Sequence, residues 1–431
     1  DKGAIVGKPR SGYFVAQDLL SSRLEANRRT DEGGSPDAMA WQDRLQLRPT
    51  RQYNIGKPAD WQQLPYPFVY GQFDANLFPV ADWRECVLEG LQPRVLRRWA
   101  PDHIDRDEHA LVEQIQRRLL PSRGIWVEQD QILVTSGTQQ AIFMLGALLV
   151  GPATRIGIEN PGYPDARNNF LLRTPHLIPL AVDGEGLVPG PALDRCDYVY
   201  VTPSHQCPTT VTLSLDRRQA LLRHAQRNDF IILEDDHEIE LNFSGKPTPA
   251  LKSLDTMQRV IYMGSLSKTL AHGLRLGYVV ASPELIREMR ALRRLMMRHV
   301  PTNNQCAAAS FIAHGHHEAF IHRLNSAYRS RSAILRNALA LRVPELIQVP
   351  SHGGSALWVE GPAGLDARAL SLRLHARGVV VEPGDVFFCE DSPPAHYLRL
   401  GYSSIPESRI EEGVDILAEE FKGFSQLSFP G

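Results

Sequence analysis

The sequence has no C-x-x-C pair. Its five cysteines, Cys86, Cys196, Cys207, Cys306 and Cys389, are odd in number and widely spread. That pattern excludes a disulfide framework, argues against a zinc site, and fits a reducing cytoplasm, where the protein is expected to reside. A long hydrophobic run is missing too. The longest, Ala141 to Val150, falls far short of the roughly 20 residues that cross a bilayer, so no membrane partner is expected. Strong charge of one sign is also absent: 47 Lys and Arg face 49 Asp and Glu, for a formal charge of -2. There is no global pull towards nucleic acid or acidic membranes, and a nucleic-acid role has to sit in a local basic patch. No G-x-G-x-x-G or Walker loop occurs, which removes support for a dinucleotide or ATP site. Internal repeats and low-complexity tracts are lacking, no signal peptide is expected, and the start at Asp1, without Met, is expected to be a cut end.

What is present describes a globular protein, 43% hydrophobic and 22% charged over 431 residues. That length exceeds one ordinary core, so two or three domains are expected. The chain is organised around Gly264-Ser265-Leu266-Ser267-Lys268-Thr269-Leu270. A strand-like run, Arg259 to Met263, delivers it into small hydroxyl residues ending on one lysine, with Arg275 just beyond. A lysine at the mouth of a strand can be desolvated, which lowers its pKa and frees a nucleophilic amine for Schiff-base chemistry. The serines and Arg275 can bind a phosphate. The plain alternative is a surface lysine in a serine-rich turn.

Taken in order, residues 3–16 read as a β-hairpin around a basic Pro/Gly turn, too small to be stable alone. From about Ser21 to Gln63 the chain is polar and punctuated, as in Gly33-Gly34-Ser35-Pro36, and reads as a linker or wrapping arm. Gln131–Val134 is a short strand followed by Thr135-Ser136-Gly137-Thr138-Gln139-Gln140 and an apolar helix, an arrangement that can bind phosphate at the helix N-terminus. Arg155–Ile158 is the next strand. It ends in Glu159-Asn160-Pro161-Gly162-Tyr163-Pro164, which fixes an aromatic ring where open α/β sheets hold ligands. Asp197–Val201 leads to Thr202-Pro203-Ser204-His205-Gln206, and Phe230–Leu233 leads to Glu234-Asp235-Asp236-His237. Successive acids after a buried strand need a cation or donors, and a protonated pyridine nitrogen is one such partner; a metal is the competing reading, and none is expected. The strand spacing indicates an α/β domain with a largely parallel sheet. The basic helix Arg287 to Arg298 reads as a subunit-interface helix in preference to a nucleic-acid helix. A smaller α+β unit follows, marked by Gly353–Trp358, Val379–Gly384 and Tyr397–Gly401.

Together these pieces resemble fold-type I pyridoxal-phosphate enzymes, the aspartate aminotransferase-like group, from about Phe73 to the C-terminus. The resemblance implies an α/β fold: a large domain (about 73–305) with a mostly parallel, seven-stranded-type sheet, and a small α+β domain (about 306–431). It implies pyridoxal 5'-phosphate on Lys268, an aldimine-forming and catalytic lysine. Asp235, 33 residues earlier (268 − 235), would pair with the pyridine nitrogen. Thr138, Gln139, Ser265, Ser267 and Arg275 would form the phosphate cradle, and Tyr163 would stack on the cofactor. Gln206 and His237 complete the cofactor set, and Arg399 would bind a carboxylate of the effector.

Residues 3–16 are similar, more narrowly, to the wing of a GntR-type winged helix-turn-helix as found in MocR/GabR transcriptional regulators. That resemblance implies residues 1–18 as a remnant of a DNA-binding domain, 19–72 as linker and 73–431 as the effector-binding domain of a homodimer. Two departures matter. His237 stands where the group has a tyrosine, and Cys207 where related aminotransferases have an asparagine that donates to the cofactor's phenolic oxygen. The expected function is a sensor in which an amino acid or amine displaces Lys268 to form an external aldimine, with little or no turnover. The alternative is a working aminotransferase.

Overall fold

The computed structural model describes residues 5–8, 12–15, 39, 41–72, 74–243, 248–351 and 353–428. The hairpin turn at Pro9-Arg10-Ser11, the stretch with Gly33-Gly34-Ser35-Pro36, and Phe73 lie outside them. Two compact units are present, Asp1–Arg51 and Gln52–Gly431. In the first, β1 (Ile5–Lys8) and β2 (Gly12–Val15) pair antiparallel, Ile5 opposite Val15 and Lys8 opposite Gly12, as the hairpin reading expects.

The second unit starts 21 residues ahead of the boundary expected at 73 (73 − 52). Its first segment is tied down: β3 (Tyr66–Pro67) is the parallel partner of β14 (Val379–Val380). Tyr53 Oη donates to Asp385 Oδ2 at 2.8 Å and Gln52 Nε2 to the Asn168 carbonyl at 2.8 Å. Low apolar periodicity made this stretch read as linker, yet its turns and side-chain polar groups dock it.

The large sheet runs β4 (Ile132–Thr135), β11 (Gly277–Val280), β10 (Val260–Ser265), β9 (Ile231–Asp236), β8 (Tyr198–Val201), β5 (Ile156–Asn160), β6 (Leu177–Asp183), β7 (Gly186–Leu187). Strands β10, β9, β8, β5 and β6 are mutually parallel, while β11 opposes both its neighbours. The two-residue β7 turns back on the edge strand β6, so the seven-stranded sheet expected is eight-stranded by one short hairpin partner. The central strands are apolar throughout because helices cover both faces: Leu133, Val199, Ile232, Leu233 and Val279 are all buried. A smaller antiparallel sheet, β12 (Ile347–Gln348), β13 (Ala356–Glu360), β16 (Tyr397–Gly401) and β15 (Glu382–Pro383), follows. Its register sets Arg399 opposite both Trp358 and Glu382.

Candidate functional site

The parallel strands end together, and their carboxyl ends deliver Asn160, Val201, Asp236 and Ser265 to one edge of the sheet. That edge is where open α/β sheets carry ligands. A cavity of about 240 Å³ opens there, lined by Thr138, Tyr163, Asp235, His237, Lys268 and Arg399 among others. A larger hollow of about 680 Å³ sits at the opposite edge, beside Tyr198, Ile231 and Val260, the first residues of β8, β9 and β10, and holds none of the expected site residues.

Lys268 follows β10 in a tight loop, with its ammonium 4.4 Å from the centre of the Tyr70 ring. Backbone comes equally close. Gly71 has φ +58, and a Cβ there would stand 2.6 Å from Lys268 Nζ, so only glycine fits. Burial pushes the Lys268 pKa down; Glu238 works against that fall and Arg399 adds to it. The effect is to raise the share of neutral, nucleophilic amine.

The run of acids at the end of β9 divides its partners. Glu234 accepts from the Leu251 and Lys252 amides, each at 2.8 Å. Asp236 accepts from Arg123 Nε at 2.7 Å and Tyr262 Oη at 2.8 Å, away from the cavity. Asp235 lines the cavity; its Oδ2 accepts from Tyr200 Oη at 2.6 Å, while its buried Oδ1 has no hydrogen bond. Burial raises the Asp235 pKa; His237, its Nδ1 3.9 Å from Oδ1, works against that rise. A buried carboxylate oxygen left open in this way fits a protonated ring nitrogen.

On the other side, Thr138 and Gln139 form the first turn of the Gly137–Leu149 helix after β4. Gly137 has φ +75, and a Cβ there would meet Arg275 Nη2 at 2.9 Å, so glycine keeps the guanidinium against the helix N-terminus. Free amides, the helix dipole and an exposed arginine are groups that suit a phosphate. Gln139 donates to Asp165, which also accepts from Tyr163 Oη at 3.2 Å.

Five expected residues lie outside the cavity lining: Gln139 and Arg275 at the helix N-terminus, and three that are engaged elsewhere. Ser267 Oγ exchanges hydrogen bonds with the Leu276 backbone, donating to the carbonyl and accepting from the amide at 3.1 Å each. Ser265 lines a separate cavity with Asp236 and Tyr262. Gln206 is buried outside the cavity lining; it donates to the Pro161 and Cys207 carbonyls at 2.8 Å and accepts from Thr209 Oγ1 at 2.7 Å.

Arg399 is 1% exposed and lies between the Tyr70 and Phe387 rings, 4.1 and 4.5 Å from their centres. Its Nε donates to Glu382 Oε2 at 2.7 Å, the cross-strand partner, leaving the outer nitrogens for the cavity. Cys207 Sγ lies 3.9 Å from Nη1, and burial pushes the thiol up to about 12, so it stays neutral. Sequence reasoning did not single out Lys57, Tyr70, Gln72, Asp165 and His272, which also line the cavity. Two aromatics and a glycine just after β3, in Pro67-Phe68-Val69-Tyr70-Gly71, were the available signal.

The chain matches the profile of aminotransferase class I and II over residues 73–417. It is 38% identical to the HTH-type transcriptional regulator TauR of Rhodobacter capsulatus, over 97% of this chain and 86% of that one. It is 30% identical to the probable rhizopine catabolism regulatory protein MocR of Rhizobium meliloti, over 97% of this chain and 83% of that protein. Among solved structures it resembles LysN, an α-aminoadipate aminotransferase of Thermus thermophilus complexed with N-(5'-phosphopyridoxyl)-L-leucine. There the TM-score is 0.80 at 26% identity, covering 90% of this chain and 100% of that one. The matched family and that complex indicate pyridoxal phosphate as the cofactor. The residues present fit it: an open carboxylate oxygen at Asp235, a glycine-opened cradle beside Arg275, and a buried amine at Lys268.

Proposed function

We propose that this chain, which belongs to the aminotransferase class I and II family and within it to the MocR-type transcriptional regulators, reads a small amino acid or amine through pyridoxal phosphate. The cofactor supplies an aldehyde that exchanges one amine partner for another. Lys268 would hold it, Asp235 would pair with its ring nitrogen, and Thr138, Gln139 and Arg275 would hold its phosphate. Tyr163 would stack on the ring, with His237 at its edge. Ser265, Ser267 and Gln206 would then act through the backbone they brace.

The observation that carries the reading is the meeting of Lys268, Asp235 and Arg399 on one cavity. An arriving amine can exchange with Lys268 while Arg399 orients its acidic group. Sensing is favoured over turnover because Cys207 and His237 line the same cavity, and a neutral thiol is a weak donor there. The same proposal takes residues 1–18 as the remainder of a DNA-binding wing, the chain as one half of a homodimer, and the cytoplasm as its location. Effector binding would change the DNA-bound arrangement only as far as the effector prefers one arrangement over the other.

The absorption spectrum of the purified chain with pyridoxal phosphate, titrated with amines, tests it. A long-wavelength band that Lys268→Ala abolishes, and that an amine shifts without release of keto acid, is the expected result. Keto acid accumulating over many turnovers means a working aminotransferase, and a band unchanged in Lys268→Ala sinks the cofactor site.

A further inference from the structure

One wall of the cavity is built by residues 53–58. Ile55 and Lys57 line the cavity together with Lys268 and Arg399. On its other side the same stretch borders a groove of about 430 Å³, lined by Tyr53, Asn54, Ile55, Gly56 and Pro58 against Arg368 and Glu382. A Cβ added at Gly56 would meet nothing within 4 Å. The wall is therefore thin, with space behind it. It is bolted just upstream, where Asn168 Nδ2 donates to the Tyr53 carbonyl at 3.0 Å and to Asn54 Oδ1 at 2.6 Å.

Lys57 is the unspent group of this wall. Its ammonium forms no hydrogen bond or ion pair with any described residue, although it lines the same cavity as the guanidinium of Arg399. Arg399 is paired with Glu382 through its Nε, and its outer nitrogens and the Lys57 ammonium face the cavity, where neither meets a further carboxylate among the described residues. Burial lowers the Lys57 pKa, Glu382 opposes that fall, and Lys268 and Arg399 add to it. An exposed ammonium with no described carboxylate partner, beside a guanidinium whose outer nitrogens face the same cavity, attracts an anion.

Resting on the functional reading above, we infer that the effector is an amine carrying an acidic group held jointly by Arg399 and Lys57. Lys57 is thus a specificity residue for that acid. Because Lys57 belongs to the 53–58 wall, occupancy also fixes that segment, which lies at the start of the second unit. An amine without the acid can reach Lys268 but leaves the wall loose.

The test uses the full chain loaded with pyridoxal phosphate and follows its band. L-alanine, L-glutamate and β-alanine are each compared with n-propylamine, which has no acid. In Lys57→Met, which keeps the aliphatic stem, the preference for the best acidic amine over propylamine falls by at least about fivefold, and Lys57→Arg restores it. Added salt erodes the preference in the parent more than in Lys57→Met. Hydrogen exchange of the 53–57 amides slows with the acidic amine and not with propylamine. An unchanged preference in Lys57→Met, or equal protection of the wall by both ligands, overturns the inference while leaving the functional reading intact. A parent spectrum that answers to none of these amines overturns the functional reading and this inference with it.

Discussion

Asp235 carries two opposing demands. Without cofactor its Oδ1 is a buried carboxylate oxygen with no donor, and burial already favours its protonated form. With cofactor the same oxygen meets the cation it lacks. Asp235→Asn removes the charge and keeps an oxygen for Tyr200 Oη, which now donates at 2.6 Å. The cofactor-free protein should therefore be stabilised by about 1 kcal/mol. The loaded protein should lose pyridoxal phosphate on dialysis at least about tenfold faster, since a charge-assisted bond becomes a neutral one. Urea unfolding without cofactor and the decay of the band during dialysis measure the two effects. A less stable cofactor-free Asp235→Asn would contradict the placement of that open oxygen.

At the scale of elements, the Pro283–Met297 helix separates what sequence can display from what packing decides. Its arginines read as one basic stripe, but the fold sorts them. Arg293 is fully buried and donates to Asp107 Oδ1 and to the Val134 carbonyl, each at 2.5 Å. Arg290 donates to Asp107 Oδ2 at 2.9 Å, while Arg287 and Arg294 are exposed. The stripe's inner side is thus an internal clamp on β4, and the exposed Leu295, Met296 and Met297 are what remains to meet a partner. Arg293→Ala should cost about 2 to 3 kcal/mol, since Asp107 Oδ1 and the Val134 carbonyl lose their donor while Arg290 remains on Asp107 Oδ2. Arg294→Ala should stay within about 0.5 kcal/mol in the same denaturant titration.

The same logic decides how much of the site was legible. Lys268, Asp235, Tyr163 and Thr138 could be named because each lies at the carboxyl end of a strand or within three residues of it, where the strand ends of a parallel sheet converge. β6 was not named as a strand, since Leu177-Ile178-Pro179-Leu180 on a half-exposed edge has neither a continuous apolar run nor clean alternation. Ser267 stood out for its hydroxyl and Gln206 through the resemblance, and their own neighbours consume both side chains. Tyr70 and Lys57 stay invisible in sequence because they act through a cavity whose other walls lie from 68 (138 − 70) to 342 (399 − 57) residues away.

For the whole molecule, the decisive question is where the ligand-binding body begins. The family profile starts at residue 73, but contacts bind the chain into one unit from Gln52. Between those two points lie β3, the Tyr70 ring that stacks on Arg399 and lies near the Lys268 ammonium, the glycine that permits that approach, and Lys57. Losing them would expose Arg399 and Lys268 to water, which returns the lysine towards its ordinary, protonated state. A chain beginning at Gln52 should therefore load pyridoxal phosphate with the band of the full chain and unfold in one transition of similar midpoint. A chain beginning at Asp74 should load weakly, with the band's pH midpoint displaced, and unfold at a lower denaturant concentration because β14 has lost its partner. If both shortened chains bind cofactor like the full one, the 52–72 segment is a linker after all, and the coupling assigned to its wall has no structural basis.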